Sequence, residues 1–197
     1  RDHELDIAID VNGYTQYTRS RLFAHRMAPI QINYLGYPST MGADFIDYLI
    51  GDKIIIPDEQ REFYAEKVIY MPHCYQPNDD ARHIAEKHTS RSDFGLPRDS
   101  FVFCCFNNNF KISPKEFDIW MRLLGKVKGS VLWLRKSNEW SEANFRLEAK
   151  KRNIGSSKIV FAEKVPIEEH LARYKLADLF IDTFNFNAHT TASEALW

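Results

Sequence analysis

Residues 101–135, FVFCCFNNNFKISPKEFDIWMRLLGKVKGSVLWLR, contain two patterns that alternate along the rest of the chain. The runs at 101–107 and 130–135 are apolar at nearly every position, which is typical of strands covered on both faces of a sheet. Between them, PKEFDIWMRLLGKV has apolar residues at helical spacing. A strand, a helix of this length and a second strand predict neighbouring parallel strands.

The same alternation continues to the end of the chain. Apolar runs at 158–163 and 178–183 predict two more parallel strands, with helical patterns between them and a last helix beginning at Thr190. The sequence therefore predicts a doubly wound α/β domain. Because the last helix has only begun at Trp197, we expect this domain to be incomplete and the chain to be a piece of a longer protein.

The first part of the chain has the pattern of a separate α/β domain, of which it would be the C-terminal part. Short apolar runs alternate with stretches that predict helices near 18–26 and 57–67. The predicted strands are 5–11, 30–35, 45–51 and 68–72. A polar, charged segment follows, so we predict three parts: 1–75 in the first domain, 76–95 as a connection, and 96–197 in the second domain.

Composition narrows the class of protein. The 197 residues are 44% hydrophobic and 14% aromatic, enough for a packed core, and 26 basic residues nearly balance 27 acidic ones. This balance favours neither nucleic acid nor an anionic membrane as a partner. No run approaches the roughly 18–20 apolar residues of a membrane span, and residues 1–30 lack a signal-peptide pattern.

The chain has three cysteines, Cys74, Cys104 and Cys105. Two of them are adjacent in an apolar strand, and their spacing is not that of a metal site. We therefore expect buried, reduced thiols and a cytoplasmic protein.

Polar residues follow two of the predicted strands in the second domain. In open parallel sheets, ligands bind beyond the carboxyl ends of the strands. A lysine and the free N–H groups of a helix start favour a phosphate, and no glycine-rich phosphate loop is present. The candidates are Asn107, Asn108, Asn109 and Lys111 after the first strand, and His189, Thr190 and Thr191 after the fourth.

Taken singly, each of these residues has a simpler explanation. A threonine at a helix start is most often a cap, a lone lysine is most often a solvated surface residue, and a histidine such as His170 in a helix is most often structural. Together, on loops at the same edge of one sheet, they favour a ligand that carries phosphate.

Several longer strings in the sequence carry a resemblance to a known family. They are LGYPSTMGADFIDYLIGD, YMPHCYQPND, FCCFNNNFKISPKEFDIWMRLL, GSVLWL and EEHLARYKLADLFIDTFNFNAHTTASEALW. The chain resembles, over nearly its whole length, the catalytic region of the O-linked N-acetylglucosamine transferase family, in its bacterial tetratricopeptide-linked branch. The resemblance implies a GT-B glycosyltransferase with two Rossmann-like domains, the second of which holds the nucleotide sugar.

The resemblance also implies roles for individual residues. Lys111 matches the family lysine that stabilises the departing UDP diphosphate, and would be the catalytic residue. The implied nucleotide-sugar residues are Asn108, His170, Arg173, His189, Thr190, Thr191 and Glu194, and those on the sugar and acceptor side are Tyr14, Thr15, Leu35, Gly36 and Pro38. Ile167 stands where some members carry a base-contacting lysine, so the resemblance implies that contact with the nucleobase is either weaker or arranged differently here.

The expected reaction is transfer of N-acetylglucosamine from UDP-GlcNAc to Ser or Thr hydroxyls of acceptor proteins, with tetratricopeptide repeats upstream. The chain has no Asp-x-Asp pair, so lysine and helix-end donors are expected to replace a metal ion, and no cofactor is expected. Protein N-glucosylation or O-fucosylation on the same scaffold, or a non-catalytic nucleotide-binding fragment, remain alternatives.

Overall fold

The computed structural model describes residues 4–86 and 89–197. The chain divides into two compact units, Arg1–Asn78 and Asp79–Trp197. The predicted boundaries of the connection, 76 and 95, stay predictions, and residues 87 and 88 within it lie outside the described part of the chain.

The first unit contains a parallel sheet of four strands in the order β1-β2-β3-β4. All four predicted strands are confirmed, each shorter than its apolar run. The strands are β1 (Ile7–Asp10), β2 (Ile30–Asn33), β3 (Tyr48–Gly51) and β4 (Lys67–Tyr70).

The two helices predicted in this unit are instead short 3₁₀ helices, Ser20–His25 and Asp58–Phe63. The first buries only Ser20 and Phe23, and the second buries no residue. A longer α-helix is stabilised mainly by packing an apolar face, and neither segment has one. Arg26, in the left-handed region at φ 50°, ends the first of them.

The second unit is a doubly wound sheet of four parallel strands in the order β7-β6-β5-β8. All four predicted parallel strands are confirmed, although the last one spans only Leu179–Phe180. The strands are β5 (Val102–Cys105), β6 (Val131–Arg135), β7 (Ile159–Ala162) and β8 (Leu179–Phe180). The helices are α1 (Pro114–Lys126), α2 (Glu139–Lys151), α3 (Ile167–Arg173) and α4 (Thr190–Leu196).

Alternate residues of the central strands build two cores, one on each face of this sheet. Phe103 and Cys105 of β5 pack with Trp120 and Leu124 of α1 on one face. On the other face, Val102, Cys104 and Phe106 pack with Trp133 of β6. Strand side chains alternate between faces, so a run that is apolar throughout is buried on both. This explains why all four residues of β5 are buried.

The cysteines agree with prediction in part. All three are free, and burial raises the pKa of both the Cys104 and the Cys105 thiol to about 12. The expectation that Cys74 is buried is wrong, because this residue lies in the irregular polar segment after β4 and is exposed. Within residues 4–86 and 89–197, no helix is long and apolar enough to cross a membrane.

Candidate functional site

Buried polar side chains at the ends of β1 and β2 hold the loops that follow these strands. Asp10 accepts from the N–H groups of Asn12 and Gly13, each at 3.0 Å. Its register partner on β2, Asn33, donates to the carbonyl oxygens of Tyr37 and Ser39 at 3.1 and 3.0 Å. A buried polar group without such partners is costly, so these bonds fix both loops to the sheet edge.

The five residues expected on the sugar and acceptor side lie in these two loops. The Tyr14 hydroxyl donates to the Met41 carbonyl at 2.9 Å. Thr15 follows in the same loop, and its N–H donates to the Asn12 carbonyl at 3.3 Å. The structure therefore places both in the first loop.

The second loop contains Leu35, Gly36 and Pro38, and it packs directly on the first. A Cβ at Gly36 would lie 2.0 Å from the Val11 carbonyl oxygen, so only glycine fits there. Leu35 adopts a left-handed conformation at φ 72°. The Tyr14 and Tyr37 rings also meet edge to face, 5.5 Å apart. The structure thus brings the five predicted residues to one edge of the first sheet.

In the second unit, Asn107 connects two loops that leave the sheet at its carboxyl edge. Its side chain is 1% exposed and donates to Asp182 at 2.9 Å and to Thr183 at 3.0 Å. The Thr191 hydroxyl donates to its amide oxygen. Thr191 is one of the expected nucleotide-sugar residues, and its hydroxyl bonds to Asn107 and so ties α4 to the end of β5.

Lys111 lies in the 3₁₀ helix Asn109–Lys111, between β5 and α1. Its ammonium donates to the Asn187 carbonyl at 3.2 Å and lies 4.1 Å from the centre of the Phe186 ring. Partial burial lowers the pKa of Lys111, while Asp182 acts in the opposite direction. A cation that has lost part of its hydration, and that lies against a carbonyl and a ring, is well suited to receive an anion.

His189 precedes α4 and is half-buried near this lysine. Burial lowers the pKa of His189, and the Lys111 charge lowers it further. Its ring lies 5.5 Å from that of Phe186. Thr190, the first residue of α4, is exposed. The prediction that Lys111 and the start of α4 lie on neighbouring loops is therefore correct.

A second cluster consists of His170, Arg173 and Glu194. The His170 Nε2 atom lies 3.2 Å from a Glu194 carboxylate oxygen, and the Arg173 guanidinium contacts the other ring nitrogen. Arg173 is 3% exposed, stacks on the Phe106 ring at 4.6 Å and donates to the Glu163 carbonyl at 2.7 Å. Burial lowers the pKa of this guanidinium.

These residues border a cavity of about 620 Å³ at the carboxyl edge of the sheet. Four predicted or singled-out residues, His170, Arg173, Thr191 and Glu194, line it, as does Ile167. The volume falls in the range of pockets that hold ligands of drug or nucleotide size. Asn108 does not line the cavity, but its amide oxygen accepts from Arg135, which does.

Sequence reasoning missed several residues of this site. Three basic residues at or just beyond the carboxyl ends of β6 and β7 line the cavity, and the same rule about strand ends predicts them: Arg135, Lys136 and Lys164. Arg82 gave no such signal. It lies in the predicted connection, yet its guanidinium is 3.6 Å from Glu194 and 5.7 Å from the Trp197 ring.

No group of three or more His, Cys, Asp or Glu side chains among the described residues is arranged to hold a metal ion. Independence of a metal is a matter for experiment and stays a prediction.

Parallel α/β units with polar groups at the strand ends, and a cavity there in the second unit, are features of the GT-B fold. The chain belongs to glycosyltransferase family 41, whose family model matches residues 1–88 and 83–197. A solved O-GlcNAc transferase mutant of Thermobaculum terrenum superimposes with a TM-score of 0.85 and 26% identity, over 100% of this chain and 37% of that one.

Curated relatives carry consistent names. The chain is 38% identical over 200 residues to the probable UDP-N-acetylglucosamine--peptide N-acetylglucosaminyltransferase SEC of Arabidopsis thaliana, which covers 98% of this chain and 20% of that protein. It is 28% identical over 304 residues to the UDP-N-acetylglucosamine--peptide N-acetylglucosaminyltransferase of Caenorhabditis elegans, covering 98% of this chain and 26% of the relative. The chain therefore spans about a fifth to a quarter of these relatives.

Proposed function

We propose that the protein containing this chain transfers N-acetylglucosamine from UDP-GlcNAc to Ser or Thr hydroxyls of acceptor proteins, without a metal ion. The observation that supports this most is that Lys111 and the cavity bordered by His170, Arg173 and Glu194 both lie beyond the carboxyl ends of strands of one sheet, in a chain of family 41. Lys111 itself is not one of the residues that line the cavity. The names of the relatives give UDP-N-acetylglucosamine as the donor and a peptide as the acceptor of those proteins, which supports the proposal.

In this proposal the cavity receives the nucleoside. Arg173 is held by the Glu163 carbonyl and the Phe106 ring, so its guanidinium is fixed before the ligand arrives. Glu194 is oriented by His170 and Arg82 and offers carboxylate oxygens for the ribose hydroxyls. Fixed partners of this kind reduce the ordering that binding would otherwise require.

Lys111 is proposed to contact the diphosphate. When the bond from the sugar to the diphosphate breaks, negative charge grows on the leaving oxygen, and a positioned cation stabilises that charge more than the ground state. The ammonium is already drawn toward the loop before α4 by the Asn187 carbonyl. A lysine in this position supplies the charge that a divalent ion supplies in other transferases.

We propose further that Tyr14, Thr15, Leu35, Gly36 and Pro38 contribute the sugar and acceptor side. The backbones of these two loops are in close contact where Gly36 packs on Val11, so the position of each loop is fixed relative to the other. Tetratricopeptide repeats upstream and a cytoplasmic location complete the proposal. The near balance of charge supports protein acceptors rather than nucleic acid.

A donor competition tests this function. The full-length protein is incubated with acceptor proteins and one of three donors, UDP-GlcNAc, UDP-glucose or GDP-fucose, and each reaction is run with and without EDTA. Modified peptides are then identified by mass spectrometry. We expect HexNAc on Ser or Thr from UDP-GlcNAc at a rate that EDTA does not change. Preferential transfer of hexose to Asn, or of fucose, would replace the proposed donor, and absence of any transfer with intact UDP binding would indicate a non-catalytic nucleotide-binding protein.

A further inference from the structure

Glu116, in the first turn of α1, is one of the most deeply buried charged residues in the described chain, at 1% exposure. Its two carboxylate oxygens contact different parts of the second unit. Oε2 accepts from the N–H of Ser113 at 3.1 Å and from the Ser113 hydroxyl, which closes a capping box at the start of α1. This half of the carboxylate has an ordinary structural role.

The other oxygen contacts a loop that is distant in sequence. Oε1 accepts from the N–H of Phe184 at 2.9 Å and from that of Asn185 at 3.4 Å. A capping box needs neither of these bonds. In the same unit, Ser90 and Asp93 form an exposed capping box with a shorter acidic side chain. The second pair of contacts therefore points to a role beyond capping.

The loop that Glu116 holds is the one that contacts Lys111. Phe186 and Asn187 follow directly after the two bonded amides and supply the ring and the carbonyl against which the ammonium lies. His189 and α4 come next along the chain. Glu116 thus bonds to the middle of the loop between β8 and α4, and Lys111 contacts the two residues that follow.

The charge state of Glu116 fits this role. Burial by itself raises the pKa of the carboxyl, but the N–H groups of Phe184, Asn185 and Ser113 outweigh burial, and the net pKa is lowered. The carboxylate is ionised at neutral pH, and hydrogen bonds to an ionised acceptor are stronger than those between neutral groups.

We propose that Glu116 is a positioning residue whose Oε1 atom fixes the loop before α4, and so places Phe186 and Asn187 where they orient Lys111 toward the diphosphate. The proposal deepens the proposed function and rests on it for the identity of the ligand. Glu116 itself is not expected to touch the substrate.

Three variants separate the two oxygens of the carboxylate. Glu116→Asp keeps the charge and can still close the capping box, as Asp93 does, but withdraws the carboxylate from the loop by about 1.5 Å, one carbon–carbon bond. Ser113→Ala removes the hydroxyl partner of Oε2 and leaves the bonds to the loop. Glu116→Gln keeps the reach and a carbonyl acceptor for the Phe184 amide.

The test measures hydrogen exchange over residues 183–189 and UDP affinity in the full-length protein, with circular dichroism as the check on folding. In Glu116→Asp we expect the amide hydrogens of this loop to exchange faster and UDP to bind roughly tenfold more weakly. The reason is that the hydrogen bonds from the Phe184 and Asn185 N–H groups to a buried acceptor are lost. Ser113→Ala is expected to stay within about threefold of the wild-type affinity, with near-normal loop exchange. Glu116→Gln keeps the reach but not the charge, so its affinity and loop exchange are expected to lie between those of Ser113→Ala and Glu116→Asp.

The outcomes distinguish this inference from the function on which it rests. Wild-type exchange and affinity in Glu116→Asp would overturn the inference, as would an equal loss of affinity in Ser113→Ala. If the wild-type protein does not bind UDP while Glu116→Asp still loosens the loop, the proposed function fails and only the structural link between Glu116 and the loop is retained.

Discussion

Replacing Lys111 with methionine separates its catalytic role from any role in folding. Methionine keeps most of the aliphatic stem and removes the charge. Among the described residues the ammonium contacts a carbonyl and a ring and has Asp182 as a charged neighbour, so its loss should change the free energy of unfolding by less than about 1 kcal/mol. We therefore expect a folded variant of nearly normal stability.

The effect on turnover should be much larger. A charge about 4 Å from a diphosphate oxygen has a gross interaction of about 4 kcal/mol at an effective dielectric constant near 20. Much of this acts in the ground state and is reduced by solvent, because Lys111 is only half-buried. The interaction energy that is gained only in the transition state, as the bond breaks, should be similar to that of one preorganised donor. Its loss should lower kcat by roughly 10²-fold or more, with a smaller change in KM.

Steady-state kinetics with UDP-GlcNAc, together with urea unfolding, measure both quantities. Lys115→Met is the matched control, since Lys115 is an exposed lysine in the first turn of α1, four residues further along the chain, and should tolerate the change in both assays. Near-normal turnover in Lys111→Met, or an equal loss in Lys115→Met, would refute the role given to the Lys111 charge.

Three further predictions follow from local geometry. Gly36→Ala should destabilise the protein by about 1–3 kcal/mol in urea unfolding, because its Cβ would lie 2.0 Å from the Val11 carbonyl oxygen. The control Gly155→Ala, whose Cβ has its nearest contact at 3.8 Å, should leave the stability unchanged. Equal effects of the two substitutions would contradict this reasoning. Gly125→Ala should stabilise α1 by about 0.5–1 kcal/mol, since the added Cβ meets only Ile154 at 3.8 Å, and a loss of stability would show a clash. Burial and the Lys111 charge lower the pKa of His189, so this residue is neutral at pH 7. A bound diphosphate would raise this pKa, and calorimetry in two buffers should therefore show proton uptake on UDP binding. The uptake should increase as the pH falls below 7 and should be smaller in His189→Asn. Equal uptake in the two proteins would exclude His189 from the diphosphate site.

The sheets were predictable from the sequence because their signal is local. Runs such as Val102–Cys105 are apolar at every position, and only burial on both faces accommodates that pattern. The rule that ligands bind at strand ends then led to Lys111 and Thr191. The same rule, applied to the carboxyl ends of β6 and β7, leads to Arg135 and Lys164.

Other features depend on contacts between distant parts of the chain. Glu116 reads locally as a capping residue, and nothing nearby in sequence indicates that it bonds to Phe184, 68 residues away. The sequence around Arg82 has the composition of a solvated linker, yet Arg82 pairs with Glu194. The short 3₁₀ helices of the first unit were predicted as longer helices because periodicity does not show whether a face finds a partner.

The central claim is that the nucleotide sugar binds at the carboxyl edge of the second sheet, and a structure of the full-length protein with UDP tests it most directly. The account predicts the diphosphate within hydrogen-bond distance of Lys111 Nζ and the nucleoside in the cavity bordered by Arg173 and Glu194. UDP bound elsewhere, or with its diphosphate out of reach of Lys111, would contradict the account.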